Sequence, residues 1–133
     1  SERIELEIES MEAKVIGDVN QLRFLLENLI DEALTVREDG VIRLQARKDN
    51  EYIRFLFTDT RREKSVEELN QLFYPNLARM TSGEKGELRG TEYLVCKQII
   101  RDHDEFAGRR GCRINAEPAE GGGFTVYFTI PRR

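Results

Sequence analysis

Ile4, Leu6 and Ile8 alternate with Arg3, Glu5, Glu7 and Glu9. That period of two predicts a strand with one wet face. Gly17-Asp18 breaks the pattern, and Asp18 is placed to cap a helix. Leu22, Leu25, Leu26, Leu29, Ile30, Ala33 and Leu34 then recur at three- and four-residue steps, the strongest helix signal in the chain. Asp39-Gly40 marks a turn. Ile42, Leu44 and Ala46 alternate with polar residues, Asp49-Asn50 marks a second turn, and Ile53, Phe55 and Phe57 give the next strand. This stretch predicts an antiparallel hairpin. Ser65-Val-Glu-Glu68 has the form of a capping box, and Leu69, Leu72 and Phe73 extend its helix.

Pro75 to Gly90 has no clean periodicity and holds Gly83, Gly86 and Gly90, so it is read as a long flexible loop. Thr91 can cap a helix with Leu94, Val95 and Ile99 on its buried side. Arg109 to Gly111 is turn-like, and Cys112, Ile114 and Ala116 alternate as a strand. Gly121-Gly-Gly123 makes a turn before a final strand carrying Phe124, Val126, Phe128 and Ile130. The order is strand, helix, two strands, short helix, loop, helix, two strands. It predicts an α/β (α+β) two-layer sandwich, a mixed and mostly antiparallel sheet with helices on one face.

A length of 133 residues fits a single domain over 1–133. The chain begins in one strand pattern and ends just after another, which suggests a domain cut from a longer protein. With 39% hydrophobic and 35% charged residues the balance is globular. A net charge of −4 weighs against nucleic acid and against direct membrane contact. Arg61-Arg62, Arg109-Arg110 and Arg132-Arg133 are interleaved with acids and read as solvated surface. Cys96 and Cys112 form no Cys-x-x-Cys pair. Reduced thiols and a cytoplasmic setting are expected. One His and two scattered Cys make no zinc site. No apolar run approaches the ~20 residues of a membrane span.

Two words in the chain carry chemistry. On the first long helix, Gln21, Asn28, Glu32 and Thr35 share a polar stripe. Within it, Asn28-Leu-Ile-Asp-Glu32-Ala-Leu34 resembles the N-box of the GHKL ATPases, in particular the catalytic and ATP-binding domain of sensor histidine kinases. Asp59, which ends the run Tyr52-Ile-Arg-Phe-Leu-Phe-Thr58, matches the aspartate of that family's first glycine box. Phe73 follows at the spacing of the F-box phenylalanine. Gly90-Thr-Glu-Tyr-Leu-Val-Cys-Lys-Gln-Ile-Ile100 is similar to the second glycine box and its helix. His103 matches a frequent histidine near that helix's end, and Phe124 to Pro131 is similar to the closing strand. The resemblance covers about Asp18 to Pro131. It implies a Bergerat-type ATPase fold, an adenine contact by Asp59, and an ATP pocket marked by Asn28, Glu32, Asp59, Gly90 and the lid residue Lys85.

The departures from the family are as informative. Glu32 replaces the asparagine that coordinates magnesium. A carboxylate can ligate Mg²⁺, but it also adds negative charge beside a triphosphate. Arg61 and Glu63 replace the two glycines after Asp59, where bare backbone approaches the nucleotide. Leu88 and Glu92 take the glycine positions flanking Gly90, and Glu92 opposes an anion at a helix N-terminus. Four losses of ~1 kcal/mol each would erase roughly a thousandfold of affinity.

Plainer readings stand beside these. Asp59 also reads as a turn residue, Asn28 and Glu32 as surface helix positions, and Lys85 and Arg79 as solvated lid residues. His103 reads as a structural or capping residue. Ser, Cys and His show no convergent triad.

The departures predict a degenerate histidine-kinase-like ATPase domain, a pseudokinase of a two-component-type signalling or regulatory protein. It would have no catalytic residue and no cofactor, and would act through contacts with its own signalling domains or a regulator. The alternative is an active catalytic domain that binds Mg-ATP, with Glu32 as metal ligand, and phosphorylates a histidine on another domain. A third is another regulator on the same fold, such as an anti-sigma-factor-type serine kinase or a metal-free ligand sensor.

Overall fold

The computed structural model describes residues 4–8, 12, 14–35, 38–73, 81–82, 88–89 and 92–133. Strand β1 (Ile4–Ile8) precedes helix α1 (Val19–Leu34). Strands β2 (Gly40–Asp49) and β3 (Tyr52–Asp59) form the hairpin and lead into the short α2 (Val66–Gln71). The two-residue strands β4 (Thr81–Ser82) and β5 (Leu88–Arg89) follow, then α3 (Glu92–Phe106), β6 (Ile114–Pro118) and β7 (Phe124–Pro131). The predicted element order holds. The addition is the antiparallel β4–β5 pair, which falls inside the stretch read as loop.

Five strands make one sheet in the order β1-β2-β3-β7-β6. β1 runs parallel to β2, and every other pairing is antiparallel. The sheet is therefore mixed and mostly antiparallel. The β2–β3 turn is Asn50-Glu51, with Asn50 at φ 54, a left-handed conformation that asparagine tolerates.

Register decides which face each side chain serves. Ile53, Phe55, Phe57 and Asp59 pair with Ile130, Phe128, Val126 and Phe124, so by the period of two these residues share one face. Leu25, Leu29 and Ala33 of α1 and Cys96, Ile99 and Ile100 of α3 pack in one core with Phe57, Val126, Phe128 and Ile130. Phe55 stacks on Phe128, ring centroids 5.0 Å apart. The opposite face is polar. Arg54 lies over the Tyr127 ring at 5.7 Å, and the Thr58 and Thr125 hydroxyls share a hydrogen bond of 2.9 Å.

Local signals fix the helix starts. The Asp18 carboxylate accepts the N–H groups of Asn20 and Gln21 at 2.8 and 3.2 Å, satisfying donors that a helix N-terminus leaves open. Ser65 and Glu68 close the predicted capping box at 3.1 and 3.2 Å. His103 is buried. Its Nε2 accepts the N–H of Asp18 at 3.0 Å, so Nδ1 carries the proton donated to the Ile99 carbonyl at 2.8 Å. The ring clasps the start of α1 to the end of α3, which is the structural role expected of it.

Three expectations are corrected. Leu34 is 52% exposed and Val95 36% exposed, although the helical stripes assign both to the core. A three-to-four-residue period fixes an angle around a helix but not which neighbour covers it. Cys112 lies just before β6 rather than in it. Arg109 is not simply solvated: it donates to the carbonyls of Glu51 and Arg132 and lies 5.6 Å over the Tyr52 ring.

The same corner gives a pH prediction. Asp104 Oδ1 accepts the N–H groups of Gly111 and Cys112 at 3.1 and 3.2 Å. Burial, then the hydrogen bond and the charge of Asp104, push the Cys112 thiol from 9.0 up to about 12. Burial and the Asp104 charge also raise Tyr52 above 10.0. Both folded values lie above the unfolded ones. Their contribution to stability is therefore intact below about pH 9 and is lost as pH rises towards 12. Urea midpoints should stay level from pH 7 to about 8.5 and fall above it; a midpoint that rises through this range contradicts the assignment.

Candidate functional site

Asp59 is the last residue of β3 and faces the helices, because its register puts it on the Phe57 side of the sheet. It is fully buried. A buried carboxylate needs a partner, and Arg61, two residues on, supplies it. The Arg61 side chain is also fully buried. Its Nε donates to Asp59 Oδ1 at 2.9 Å and its Nη2 to Oδ2 at 2.9 Å, a bidentate fork. The Arg61 backbone N–H adds a third bond to Oδ1 at 2.9 Å. The remaining guanidinium donors reach the carbonyl of Ala33 at 2.6 Å and that of Glu38 at 3.4 Å. Gly40 makes room for this: a Cβ there would stand 2.2 Å from Arg61 Cγ.

Arg61 thus corrects the reading of Arg61-Arg62 as solvated surface. It also splits the expectation for the two lost glycines. Arg61 fills the space beside Asp59, whereas Glu63 is exposed. The room left at Asp59 is about 10 Å³, bounded in part by Leu29, Ala33, Phe57, Tyr93 and Phe124. That is on the order of one water molecule. Phe73, which the resemblance matches to the F-box, is buried against Tyr93 edge-to-face with centroids 5.6 Å apart.

The site's base is set by a close approach. Gly123, at φ 79, lies against the end of β3, where a Cβ would stand 2.1 Å from the Asp59 carbonyl oxygen. That contact lets Phe124 pair directly with Asp59.

Asn28 and Glu32 are both half-buried on α1, one turn apart. This corrects the plain reading of both as surface residues. Asn28 Nδ2 and Arg62 Nε are buried donors without a partner among the described residues. Arg62 also lines the small cavity and lies 6.0 Å from the Phe124 ring centroid. Sequence reasoning did not single out Arg62 or Tyr93 as site residues, although Tyr93 lies within the word similar to the second glycine box. Gly90, Lys85 and Arg79 lie outside the described residues, as do the side chains of Leu88 and Glu92.

Among the described residues there is little room for a nucleotide base beside Asp59: both carboxylate oxygens already accept from Arg61, and the space left is about 10 Å³. Two features point the other way: the unpartnered Asn28 and Arg62 donors would each suit an acceptor.

Solved structures share the fold. The nucleotide-free catalytic domain of histidine kinase ThkA is 22% identical, with a TM-score of 0.72, over 98% of this chain and 78% of that chain. The mycobacterial sensor histidine kinase MprB is 20% identical, TM-score 0.74, over 98% and 83%. Full-length ShkA in complex with AMPPNP is 18% identical, TM-score 0.70, over 98% of this chain and 26% of that one. No curated protein sequence matches significantly. The family model described as histidine kinase-, DNA gyrase B- and HSP90-like ATPase matches residues 17–133. With that match over most of its length, the chain belongs to the histidine kinase-, DNA gyrase B- and HSP90-like ATPase family.

Proposed function

We propose that this is a degenerate histidine-kinase-like ATPase domain of a two-component-type regulator. It binds ATP weakly or not at all and acts through protein contacts. The observation that carries this reading is the Arg61 fork on Asp59. The carboxylate that the family resemblance assigns to adenine already accepts three hydrogen bonds from Arg61, two of them from its guanidinium. Glu32 supports the same reading, since a half-buried carboxylate one turn from Asn28 disfavours a polyphosphate. Protein contacts find support in a distant structural relative: histidine kinase ThkA has been solved in complex with response regulator protein TrrA. Among the described residues no helix is long and apolar enough to cross a membrane.

Calorimetry with Mg-ATP and Mg-ADP tests the proposal. The expected result is no saturable heat at micromolar nucleotide. A micromolar Kd overturns it.

One observation favours the second reading, an active kinase domain that phosphorylates a histidine elsewhere. The unpartnered donors of Asn28 and Arg62 would be satisfied by a bound anion. Under that reading Asp59→Asn abolishes nucleotide binding; equal binding by the variant removes the Asp59-centred pocket.

A further inference from the structure

A separate cavity of about 320 Å³ opens between α3 and β6, the last strand of the sheet. Its size is at the lower end for small-molecule sites. Phe73, Ile100 and Ile114 give it an apolar lining, and Lys97, Arg101 and Arg113 line it as well. The local charge is thus opposite in sign to that of the chain, whose net charge is −4.

Among the described lining residues the one carboxylate is Asp104, whose Oδ1 is engaged by the N–H groups of Gly111 and Cys112 at 3.1 and 3.2 Å. Arg113 is held in place, because its Nη1 donates to the carbonyls of Arg110 and Cys112 at 3.1 and 3.0 Å. A guanidinium anchored by backbone carbonyls presents a fixed fork. Arg101, on α3, lines the other side of the cavity and is exposed. The apolar lining, in turn, suits a ligand with a compact apolar body.

We propose that this cavity binds a small organic anion, a carboxylate or phosphate monoester on an apolar body. Arg101 and Arg113 hold the anionic head, and Phe73, Ile100 and Ile114 receive the body. The proposal is independent of the Asp59 site, whose own signals would come from Asp59 and Thr60.

The test is a nitrogen-15 NMR titration of the whole chain with phenyl phosphate, benzoate, inorganic phosphate and phenol. Phenyl phosphate and benzoate should give saturable shifts at Ile100, Arg113 and Ile114, with inorganic phosphate binding more weakly. Arg101 is exposed, so Arg101→Glu leaves the fold intact and should weaken phenyl phosphate at least ~10-fold, while Arg101→Lys binds as the parent does. No saturation by about 10 mM, or an unchanged affinity in Arg101→Glu, overturns the site. Phenol binding as well as phenyl phosphate removes the anionic head from the proposal, and inorganic phosphate binding as well removes the apolar body; either result overturns the ligand class.

Discussion

Arg61→Ala should lower stability by about 3–5 kcal/mol, because it strands the Asp59 carboxylate in the core without a counter-charge. For a chain of this size that is a fall of roughly 10–20 °C in Tm. The side chains of both partners are essentially inaccessible to water, so solvent screening does not discount the effect as it would for a surface pair. The loss has a second source. Arg61 also donates to the Ala33 and Glu38 carbonyls, which the variant leaves without that partner. Removing both charges at once, as in Asp59→Leu with Arg61→Met, should cost far less than the sum of the single changes. Urea unfolding of the parent, the two single variants and the double variant gives the coupling energy directly. A coupling under about 1 kcal/mol would be that of an exposed pair and would contradict the buried fork.

The second large effect is at Gly123. Gly123→Ala adds a Cβ 2.1 Å from the Asp59 carbonyl oxygen and 2.6 Å from Thr60 Cα. Backbone has to move, and φ 79 strains any side chain. Left-handed strain costs about 1–2 kcal/mol and forced overpacking about 1–3, so the expected loss is about 2–5 kcal/mol in urea unfolding. Gly121→Ala separates the two causes. Its φ of 88 is equally left-handed, yet a Cβ there meets nothing within 4 Å. It should show the strain alone, and equal losses in the two variants would contradict the close approach at Asp59.

Much of the fold was legible because it rests on local rules. Asp18 and Ser65 cap helices through donors within three residues of themselves. The alternation of Phe124, Val126, Phe128 and Ile130 fixes the buried face of β7 without reference to any other element. The resemblance in order and spacing implied a common pocket for Asn28, Glu32 and Asp59. The state of the site was not legible in the same way. A charged residue after a strand defaults to solvent, and what buries Arg61 is the arrival of the Ala33 carbonyl, 28 positions earlier in the chain. The pair itself had a faint sign, an acid and a base two residues apart at a strand end. Glu63 carried the same expectation as Arg61 and turned outward, because only Arg61 has partners on both the sheet and α1.

The anchors of Arg61 have a mechanical meaning. One side chain ties the end of β3 to the carbonyl of Ala33 on the last turn of α1 and to that of Glu38 in the connector that follows. Sliding that end of α1 across the sheet would mean pulling ions apart in a dry interior. The helix is thereby pinned at its C-terminal end, and its other end is held to α3 by a neutral imidazole. In hydrogen exchange, amides on the last two turns of α1 should open only with the whole domain, so that end of α1 and the sheet move as one piece.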